Sequence, residues 1–408
     1  MAAAGDGHEA LARQQPQQCV RAAGPSSGCG APRVSRYRVV AVLAGGAVAI
    51  ALVAGLIRGS WRAAHLSLPI DLPPGFTADV FAAGLGPVRA LAVDPAGTLI
   101  VSISSQGKVL ALVDRGAGRA AETVTVAEGL DLPHGVAFRN GDLYVAETGR
   151  ILRFRYDAKT RAARDPSVLV AGLPAGAHHW TRGIAFGPDG ALYVSIGSSC
   201  DVCREADRRR ASIVRYEADH SGERLFATGL RNPVGLAFHP RSGVLWTTVN
   251  ERDWRSGGAP PDYVTEVSSG GAYGWPDCYA ERGRFVEDPE LPDRRGCQGL
   301  TRPTFEVPAH SAPLGVAFYS GTAFPPPYRE SLFVAMHGSR PGLSPAGYKV
   351  VRVVFRDDRP VGVEDFATGW RRDRVWGRPV DIVAGRDGAL YVSDDHGGRI
   401  VRIAFQGR

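Results

Sequence analysis

Two adjacent histidines, His178 and His179, are the residues of this chain best suited to acid–base chemistry. They stand just before residues 184–194, where two short apolar runs flank the turn Gly187-Pro188-Asp189-Gly190. A histidine with a near-neutral pKa can take a proton from a hydroxyl group. The pair could equally form a solvent-exposed turn or pack as neutral imidazoles, and the residue types alone leave both interpretations open.

Arginine stands just before two other apolar segments, at the position that the two histidines occupy before residues 184–194. Arg231 and Asn232 stand before Pro233, and Arg378 stands before Pro379. A guanidinium and an amide at the entrance to a strand suit a carboxylate or an oxyanion. Ordinary surface turns are the alternative, but the shared position in the repeat predicts that both arginines point to a common centre.

Oxygen-bearing side chains cluster at residues 250–253, with Asp262 nearby. Oxygen-rich loops suit Ca²⁺, although this spacing matches no EF-hand. A second polar run, Asp394-Asp395-His396, follows the last repeat. We interpret that run as a hairpin rather than as a catalytic group.

A repeated pattern predicts the elements that position these residues. Each copy has a short apolar strand, a turn with Pro, Asp, Asn or Gly, and a second apolar strand, and most copies continue into a third strand. Asp-Gly and Asn-Gly pairs supply the positive φ that a tight hairpin needs. The six copies cover residues 91–101, 136–145, 184–194, 236–246, 316–334 and 382–392.

Radial repetition of small sheets is a β-propeller. Six copies between residues 75 and 408 give about 56 residues each, slightly above a typical blade. A β-sandwich would not need six similar units, and a parallel solenoid would have a shorter and more even period. The sequence therefore predicts an all-β, six-bladed β-propeller over residues 75–408, with the insert at residues 250–308 covering one face.

Three segments precede the predicted propeller. Residues 1–38 are rich in Ala, Gly, Gln and Pro and predict a disordered cytoplasmic tail. Residues 39–57 are 19 residues without a charge, about 28 Å as a helix, and predict a single transmembrane anchor in the cytoplasmic membrane. Basic residues before this run place the propeller in the periplasm or otherwise outside the cytoplasm, after a linker at residues 58–74. A cleaved signal peptide and a buried core helix are the competing interpretations.

Charge and cysteine usage narrow the function classes. Lys plus Arg number 48 against 41 Asp plus Glu, a formal charge of +7 without a dense basic run, which argues against a nucleic-acid partner. Cys200 and Cys203 form a CxxC motif, and Cys278 and Cys297 form a second pair. Outside the cytoplasm both pairs are expected to close as disulfides. Arg204 stands where a haem-attachment motif needs histidine.

Several motifs in a fixed order carry a family resemblance. They are residues 72–76, 178–190, 200–203, 229–235, 252–254, 312–315, 366–370, 376–381 and 393–396. With these motifs the chain resembles the glucose/sorbosone dehydrogenase family, quinoproteins that use pyrroloquinoline quinone (PQQ) on a six-bladed propeller. It is most similar to the sorbosone dehydrogenase branch, over about residues 70–408.

The resemblance implies a catalytic assignment. His179 matches the general base of the family and would take the proton from the C1 hydroxyl of a sugar, or from an aldehyde hydrate, while hydride passes to PQQ. Arg231 and Asn232 would lie beside the quinone oxygens and stabilise negative charge. Arg378 would pair with a carboxylate of the cofactor, and His337 would contact the cofactor where the family has a lysine.

The resemblance also implies a calcium site, and it shows departures. Ca²⁺ would bridge PQQ and backbone carbonyls of the loop at Arg252 and Asp253, near Asp262, and Glu251 of the same loop would contact the cofactor. That loop replaces a Gly-Pro step, which predicts altered cofactor affinity. Ser198 stands where soluble glucose dehydrogenases have an aspartate that supports the histidine, which predicts an altered orientation of the base.

The function predicted from the sequence is a membrane-anchored, PQQ-dependent aldose or sorbosone-type dehydrogenase that passes electrons to a cytochrome or a membrane quinone. A calcium-dependent, gluconolactonase-like hydrolase is one alternative, although Arg, Asn and His dominate the candidate residues where such an enzyme needs carboxylates. A non-catalytic propeller that binds carbohydrate or protein is the other.

Overall fold

The computed structural model describes residues 68–407, apart from residue 177, residues 254–257 and residues 293–295. The described residues form 27 β-strands and two short 3-10 turns, Ser104–Gln106 and Pro326–Tyr328, and no α-helix. In chain order the strands are β1 (Phe76–Ala83), β2 (Leu91–Val93), β3 (Leu99–Ile103), β4 (Lys108–Asp114), β5 (Ala120–Ala127), β6 (Val136–Arg139), β7 (Asp142–Ala146), β8 (Ile151–Asp157), β9 (Ala162–Val170), β10 (Arg182–Phe186), β11 (Leu192–Ile196), β12 (Ser212–Tyr216), β13 (Arg224–Thr228), β14 (Pro233–Phe238), β15 (Leu245–Val249), β16 (Asp262–Val267), β17 (Gly271–Ala272), β18 (Cys278–Glu281), β19 (Arg284–Glu287), β20 (Phe305–Val307), β21 (Pro313–Phe318), β22 (Leu332–Met336), β23 (Lys349–Arg356), β24 (Arg359–Ala367), β25 (Pro379–Ala384), β26 (Leu390–Asp394) and β27 (Arg399–Phe405).

These strands form six blades, and the predicted six-bladed, all-β propeller is confirmed. Blades 1, 2, 3 and 5 are β2–β5, β6–β9, β10–β13 and β21–β24, and blade 3 carries β17 as an extra parallel strand. Blade 4 joins β14, β15, β16 and β20, and the hairpin β18–β19 lies in the insert between its third and fourth strands. Blade 6 takes β25, β26 and β27 from the end of the chain and β1 from its beginning, with Phe76 opposite Phe405. Pairing of the first strand with the last closes the ring.

The repeated sequence pattern forms the inner half of each blade. The second strands β3, β11, β15, β22 and β26 are buried at every position, because a neighbouring blade covers each face of the sheet. Their apolar, β-branched-rich sequences suit a strand that is buried on both sides. The predicted turns behave as expected, since Gly190 and Gly388 have φ of 88° and 78° and Asn140 has φ of 51°.

Hydroxyl groups join neighbouring blades around the central channel. In four blades a Ser or Thr of the second strand accepts a hydrogen bond from its own inner strand and donates one to a carbonyl of the next blade. These residues are Ser102, Ser195, Thr248 and Ser393. In blade 4, Thr248 accepts from Gly235 N at 3.1 Å and donates to Leu314 O at 2.5 Å. Such bonds satisfy backbone groups that the sheet ladder leaves open.

Close approach of the inner strands depends on glycine. A Cβ atom at Gly183 would lie 2.1 Å from Val234 O, and one at Gly235 would lie 2.3 Å from Leu314 O. Any side chain at these positions would separate the blades.

In the part of the chain that the structure describes, no helix has the length and apolar character needed to cross a bilayer. The predicted tail at residues 1–38, the anchor at residues 39–57 and most of the linker lie outside the described residues.

Candidate active site

One end of the propeller gathers most of the predicted site residues. Neighbouring strands of a blade are antiparallel, so the loop before the inner strand and the loop after the second strand lie at the same end. There they surround a cavity of about 580 Å³. Six of the predicted residues line it: His179, Arg231, Asn232, Glu251, Asp253 and Asp262. Asn250, His310, Ala312, Leu314, Gly338, Ser339, Arg340 and Leu343 complete the lining.

His179 is held as a neutral imidazole. Its Nδ1 lies 2.9 Å from the carbonyl oxygen of Ser198 and 3.0 Å from Ser198 Oγ, and Oγ donates to Cys200 O at 2.7 Å. A carbonyl can only accept, so Nδ1 carries the proton and the lone pair is at Nε2. Burial, and next the charge of Arg231, lowers the His179 pKa to about 3. Ser198 therefore orients the imidazole, as an aspartate would, but adds no negative charge.

Two buried arginines fix the loop that carries His179. Arg182 donates to the carbonyls of His179 and Thr181 and to that of Pro174. Arg210 donates to the carbonyls of His178 and Gly197 at 3.4 Å and to two carbonyls at residues 175–176. His179 has φ of 51°, in the left-handed region. These bonds keep it there, against the usual preference of a side chain with a Cβ.

Gly197 lets His179 and Asn232 approach each other. A Cβ atom at residue 197 would lie 2.5 Å from His179 Cβ and 2.3 Å from Asn232 Oδ1. No motif in the sequence points to Gly197, Arg182 or Arg210. Only the position of Gly197, directly before Ser198 at the end of β11, could have drawn attention to it.

Arg231 is almost fully buried and is held mainly by protein oxygens. Its Nε donates to Asp201 O at 3.0 Å, and one terminal nitrogen donates to Asn250 O at 3.1 Å and Glu251 O at 2.7 Å. The other terminal nitrogen lies 2.6 Å from Asp201 Oδ1. These bonds use four of the five N–H groups of a guanidinium, so among the described contacts one N–H is left for a guest in the cavity.

Unpaired acceptor oxygens lie on the wall next to Arg231. Among the described residues, Asn232 Oδ1, Asn250 Oδ1 and Glu251 Oε2 are buried without a hydrogen-bond donor. Burial raises the pKa of Glu251 and of Asp262 to about 7 each, although the Arg231 charge opposes the shift at Glu251. Buried acceptor oxygens without donors suit a ligand that brings positive charge or hydrogen-bond donors. Ca²⁺ is such a ligand, because it prefers oxygen atoms.

The remaining members of the predicted calcium loop point in different directions. The Arg252 guanidinium pairs with Asp288 and, at 2.7 Å, with Glu290, so only its main chain could serve a metal. Asp253 lines the cavity, where its carboxylate pairs with Arg340 and lies 3.3 Å from His310 Nδ1. Sequence reasoning did not single out His310 or Arg340, because they come from another blade.

His337 and Arg378 lie outside the lining of this cavity. His337 Nε2 lies 3.0 Å from Asp395 Oδ1, and Arg89 pairs with the other Asp395 oxygen at 2.6 Å. Arg378 donates to the carbonyls of His337, Gly338 and Ser339, so it holds the strand end that forms one wall. The roles predicted for the two residues toward a cofactor stay predictions. The polar run that contains Asp395 is the hairpin between β26 and β27.

Both predicted disulfides are closed. Cys200 pairs with Cys203 in the loop after β11, and Cys278 pairs with Cys297 beside the hairpin β18–β19. The first is next to the cavity, since Ser198 and Asp201 contact His179 and Arg231.

A family model described as TrAA12-like matches residues 70–405, nearly the whole described part of the chain. The chain belongs to the TrAA12-like family. The pyrroloquinoline quinone-dependent pyranose dehydrogenase of Coprinopsis cinerea is 27% identical over 404 residues, which cover 82% of this chain and 54% of that protein. The chain thus spans about half the length of this curated relative. The resemblance to PQQ-dependent sugar dehydrogenases is confirmed at the level of the family.

Solved structures share the fold of this TrAA12-like propeller. The holo form of the PQQ domain of pyranose dehydrogenase from Coprinopsis cinerea superposes with a TM-score of 0.72 at 22% identity, over 83% of this chain and 97% of that one. The calcium structure of the Trichoderma reesei family AA12 enzyme gives a TM-score of 0.73 at 21% identity, over 83% and 98%.

The residues of this TrAA12-like cavity fit both groups that the family implies. PQQ is a planar quinone with three carboxylates, and the lining offers Arg231, Arg340 and His310 to a polyanion. The unpaired oxygens beside Arg231 suit a divalent cation, which would also offset the charge of Glu251 and Asp262.

Proposed function

We propose that this protein is a PQQ-dependent dehydrogenase that oxidises an aldose or a sorbosone-type sugar, with His179 as the general base. The observation that carries the proposal is the state of His179. It lines a cavity with Nδ1–H bound to Ser198, so its free lone pair is at Nε2, where a base must have it. The family match supports the reaction class.

The reaction removes a proton and a hydride from one carbon–oxygen unit. The lone pair of His179 Nε2 takes the hydroxyl proton of the sugar while the C–H bond breaks. PQQ, when bound, supplies a quinone that can accept the hydride. A low pKa makes His179 a weak base but keeps it deprotonated in acid solution. The buried guanidinium of Arg231 places positive charge beside the oxygen that gains electron density.

Two sets of residues would hold the cofactor. Arg231 and Asn232 line the cavity and would bind PQQ directly, whereas His337 and Arg378 lie outside the lining and would support the wall that contacts it. Arg378 would act mainly through the carbonyls that it binds at residues 337–339.

Calcium would be held by oxygens near Arg231. The candidates are the carboxylates of Glu251 and Asp262, with the main chain at Arg252 and Asp253. Glu251 has an unpaired buried oxygen, which a bound cation would satisfy. Asp262 already accepts bonds from Glu251 N and Ala312 N, both at 2.8 Å, so it can order the loop while it adds charge.

We further propose that residues 39–57 anchor the enzyme in the cytoplasmic membrane, with the propeller outside the cytoplasm. The uncharged run, the basic residues before it and the two disulfides of the propeller support this arrangement. Electrons would then leave to a cytochrome or a membrane quinone.

One observation favours a second candidate. The cavity brings together three carboxylates, Glu251, Asp253 and Asp262, beside its arginine, asparagine and histidine side chains. Such a set could support a calcium-dependent lactone hydrolase. A lactone assay without PQQ distinguishes this activity from a dehydrogenase.

Reconstitution of the full-length protein tests the proposal. We expect dye reduction with aldoses or sorbosone that requires both PQQ and Ca²⁺. His179→Asn should lower kcat by about 10²- to 10⁴-fold while PQQ still binds. His178→Asn is the matched control, because His178 is exposed and lies outside the cavity lining, and it should keep wild-type turnover. A folded protein that neither binds PQQ nor turns over sugar would refute the proposal.

A further inference from the structure

The loop after β11 contains a ring of four residues closed by a disulfide. Cys200 and Cys203 are its ends, and Asp201 and Val202 lie between them. Cross-linking two residues so close in sequence removes much of the conformational freedom of the segment. The residue at position 201 is therefore presented to its neighbours in a nearly fixed position.

Asp201 contacts three separate segments from this ring. Its carboxylate oxygen Oδ1 accepts from Arg231 at 2.6 Å and from the backbone N–H of Asp253 at 2.9 Å. Its carbonyl oxygen accepts from Arg231 Nε at 3.0 Å and from Trp275 Nε1 at 3.2 Å. One residue thus ties blade 3 to Arg231, to the loop proposed to hold calcium and to the long insert.

The carboxylate is the only described one that pairs with Arg231. Arg231 is 3% exposed, whereas the Asp201 side chain is 36% exposed and can be changed without opening the core. The other partners of the guanidinium are neutral carbonyls. A charge-assisted bond is stronger and better directed than a neutral one, so Asp201 contributes most to the orientation of Arg231.

The same ring also reaches the proposed base. The carbonyl of Cys200 accepts from Ser198 Oγ at 2.7 Å, which leaves the Oγ lone pairs to receive Nδ1–H of His179. The hydroxyl rotor of Ser198 is thereby fixed by the ring. Arg231 and His179 take their positions from adjacent residues of one cross-linked segment.

We propose that Asp201, held in the Cys200–Cys203 ring, is a positioning residue that fixes Arg231 and the main chain at Asp253, and so sets the affinity of the site for PQQ and Ca²⁺. This inference rests on the proposed function for its ligands, but the contact network itself exists without them. The ring acts as a template on which the cofactor wall is built.

The test compares Asp201→Ala and Asp201→Asn with wild type in full-length protein. Asp201→Ala removes both Oδ1 bonds, whereas Asp201→Asn keeps an acceptor for the Asp253 N–H and loses the charge opposite Arg231. In protein without cofactor, amide hydrogen exchange at Asp253 should be at least tenfold faster in Asp201→Ala and close to wild type in Asp201→Asn. Titration with PQQ in the presence of Ca²⁺ should show at least a tenfold weaker Kd for Asp201→Ala and an intermediate loss for Asp201→Asn.

A matched control exists in the same blade. Asp189 pairs with the buried Arg215 at 2.8 Å in the turn between β10 and β11, at the opposite end of the propeller. Asp189→Asn makes the same change of charge, and it should leave both Asp253 exchange and PQQ affinity unchanged. Replacing both cysteines of the ring with serine should reproduce the Asp201→Ala phenotype in part, because the carboxylate remains but is no longer held.

The outcomes separate this inference from the proposed function. Asp253 exchange and PQQ affinity within twofold of wild type in Asp201→Ala would overturn the positioning role. An equal loss in Asp189→Asn would overturn it as well, because the effect would then be general destabilisation. A wild-type protein that binds no PQQ would refute the proposed function, while the exchange data would still decide the role of Asp201.

Discussion

Replacing Ser198 with aspartate should convert His179 into a stronger base. The serine contacts Nδ1 through both its carbonyl and its hydroxyl, at 2.9 and 3.0 Å, and neither group is charged. A carboxylate in place of the hydroxyl would lie about 3 Å from the imidazole and favour its protonated form. The pKa of His179, lowered to about 3 by burial and by Arg231, should therefore rise.

The expected size of the pKa shift at His179 follows from the general effect of a neighbouring charge. An opposite charge in contact shifts a pKa by about 1–3 units, and each unit corresponds to about 1.4 kcal/mol. The His179 pKa in Ser198→Asp should thus lie between about 4 and 6. A base of higher pKa removes a proton faster at neutral pH, so kcat at pH 7 should increase.

The pH dependence of kcat/KM for the PQQ-loaded enzyme measures the shift. The acid limb, where activity falls as His179 becomes protonated, should move upward by the change in pKa. A direct titration of His179 by NMR in cofactor-free protein gives the same quantity without turnover. Ser198→Ala is the control, because it keeps the carbonyl acceptor and adds no charge, and its acid limb should stay in place.

Two results would refute this reasoning. If the Ser198→Asp limb coincides with that of wild type while the variant folds, Ser198 does not control the protonation of His179. If NMR shows a higher His179 pKa but the kinetic limb does not move, His179 is not the base. Thermal melts of all three proteins are required, because residue 198 is fully buried and the aspartate also faces the carbonyl of Cys200.

Three further predictions concern the scaffold. His134 is buried, and burial together with the charge of Arg89 lowers its pKa to about 3. Its contribution to stability is therefore complete above pH 6.5 and is lost as the pH falls toward 3. His134→Asn should reduce this acid-induced loss by on the order of 4 kcal/mol, measured by urea unfolding between pH 6.5 and pH 3. Thr248→Val keeps the shape of this fully buried side chain but leaves the N–H of Gly235 and the carbonyl of Leu314 unpaired between the blades. The free energy of unfolding in chemical denaturation should fall by about 2–3 kcal/mol. Thr123→Val on the exposed face of β5 is the control and should change it by less than about 0.5 kcal/mol. Gly197→Ala should displace the base and lower kcat/KM by about 10²-fold with the blades intact, and wild-type kinetics in that variant would contradict the packing described for this glycine.

The sequence was informative where the relevant contacts are local. Alternation of apolar residues, with Asp-Gly and Asn-Gly turns, identified the inner strands of all six blades, because a hairpin is encoded by adjacent residues. The third strand predicted for most copies is present in all six blades, as β4, β8, β12, β16, β23 and β27. Motif order then indicated the family, which the match to residues 70–405 confirmed.

The sequence was less informative about which candidates share a cavity. His179, Arg231 and Asp262 meet there, although 83 residues separate the first from the last. Arg378 was expected to share their centre because it holds the same place in its blade. In the folded chain it is directed toward the carbonyls at residues 337–339 instead. Equivalent positions in a repeat share a backbone environment but not the side chains of neighbouring blades.

By itself the sequence determined the blade count, the pairing of the four cysteines and the residue types available for proton transfer and anion binding, since these depend on local pattern and composition. Only the tertiary structure decided that β1 completes blade 6, that Gly197 admits His179 beside Asn232, and that Asp201 holds Arg231. Each of these contacts joins residues from different blades or distant loops. Their geometry is set when the blades pack around the channel, so it cannot be predicted from the spacing of residues in the sequence.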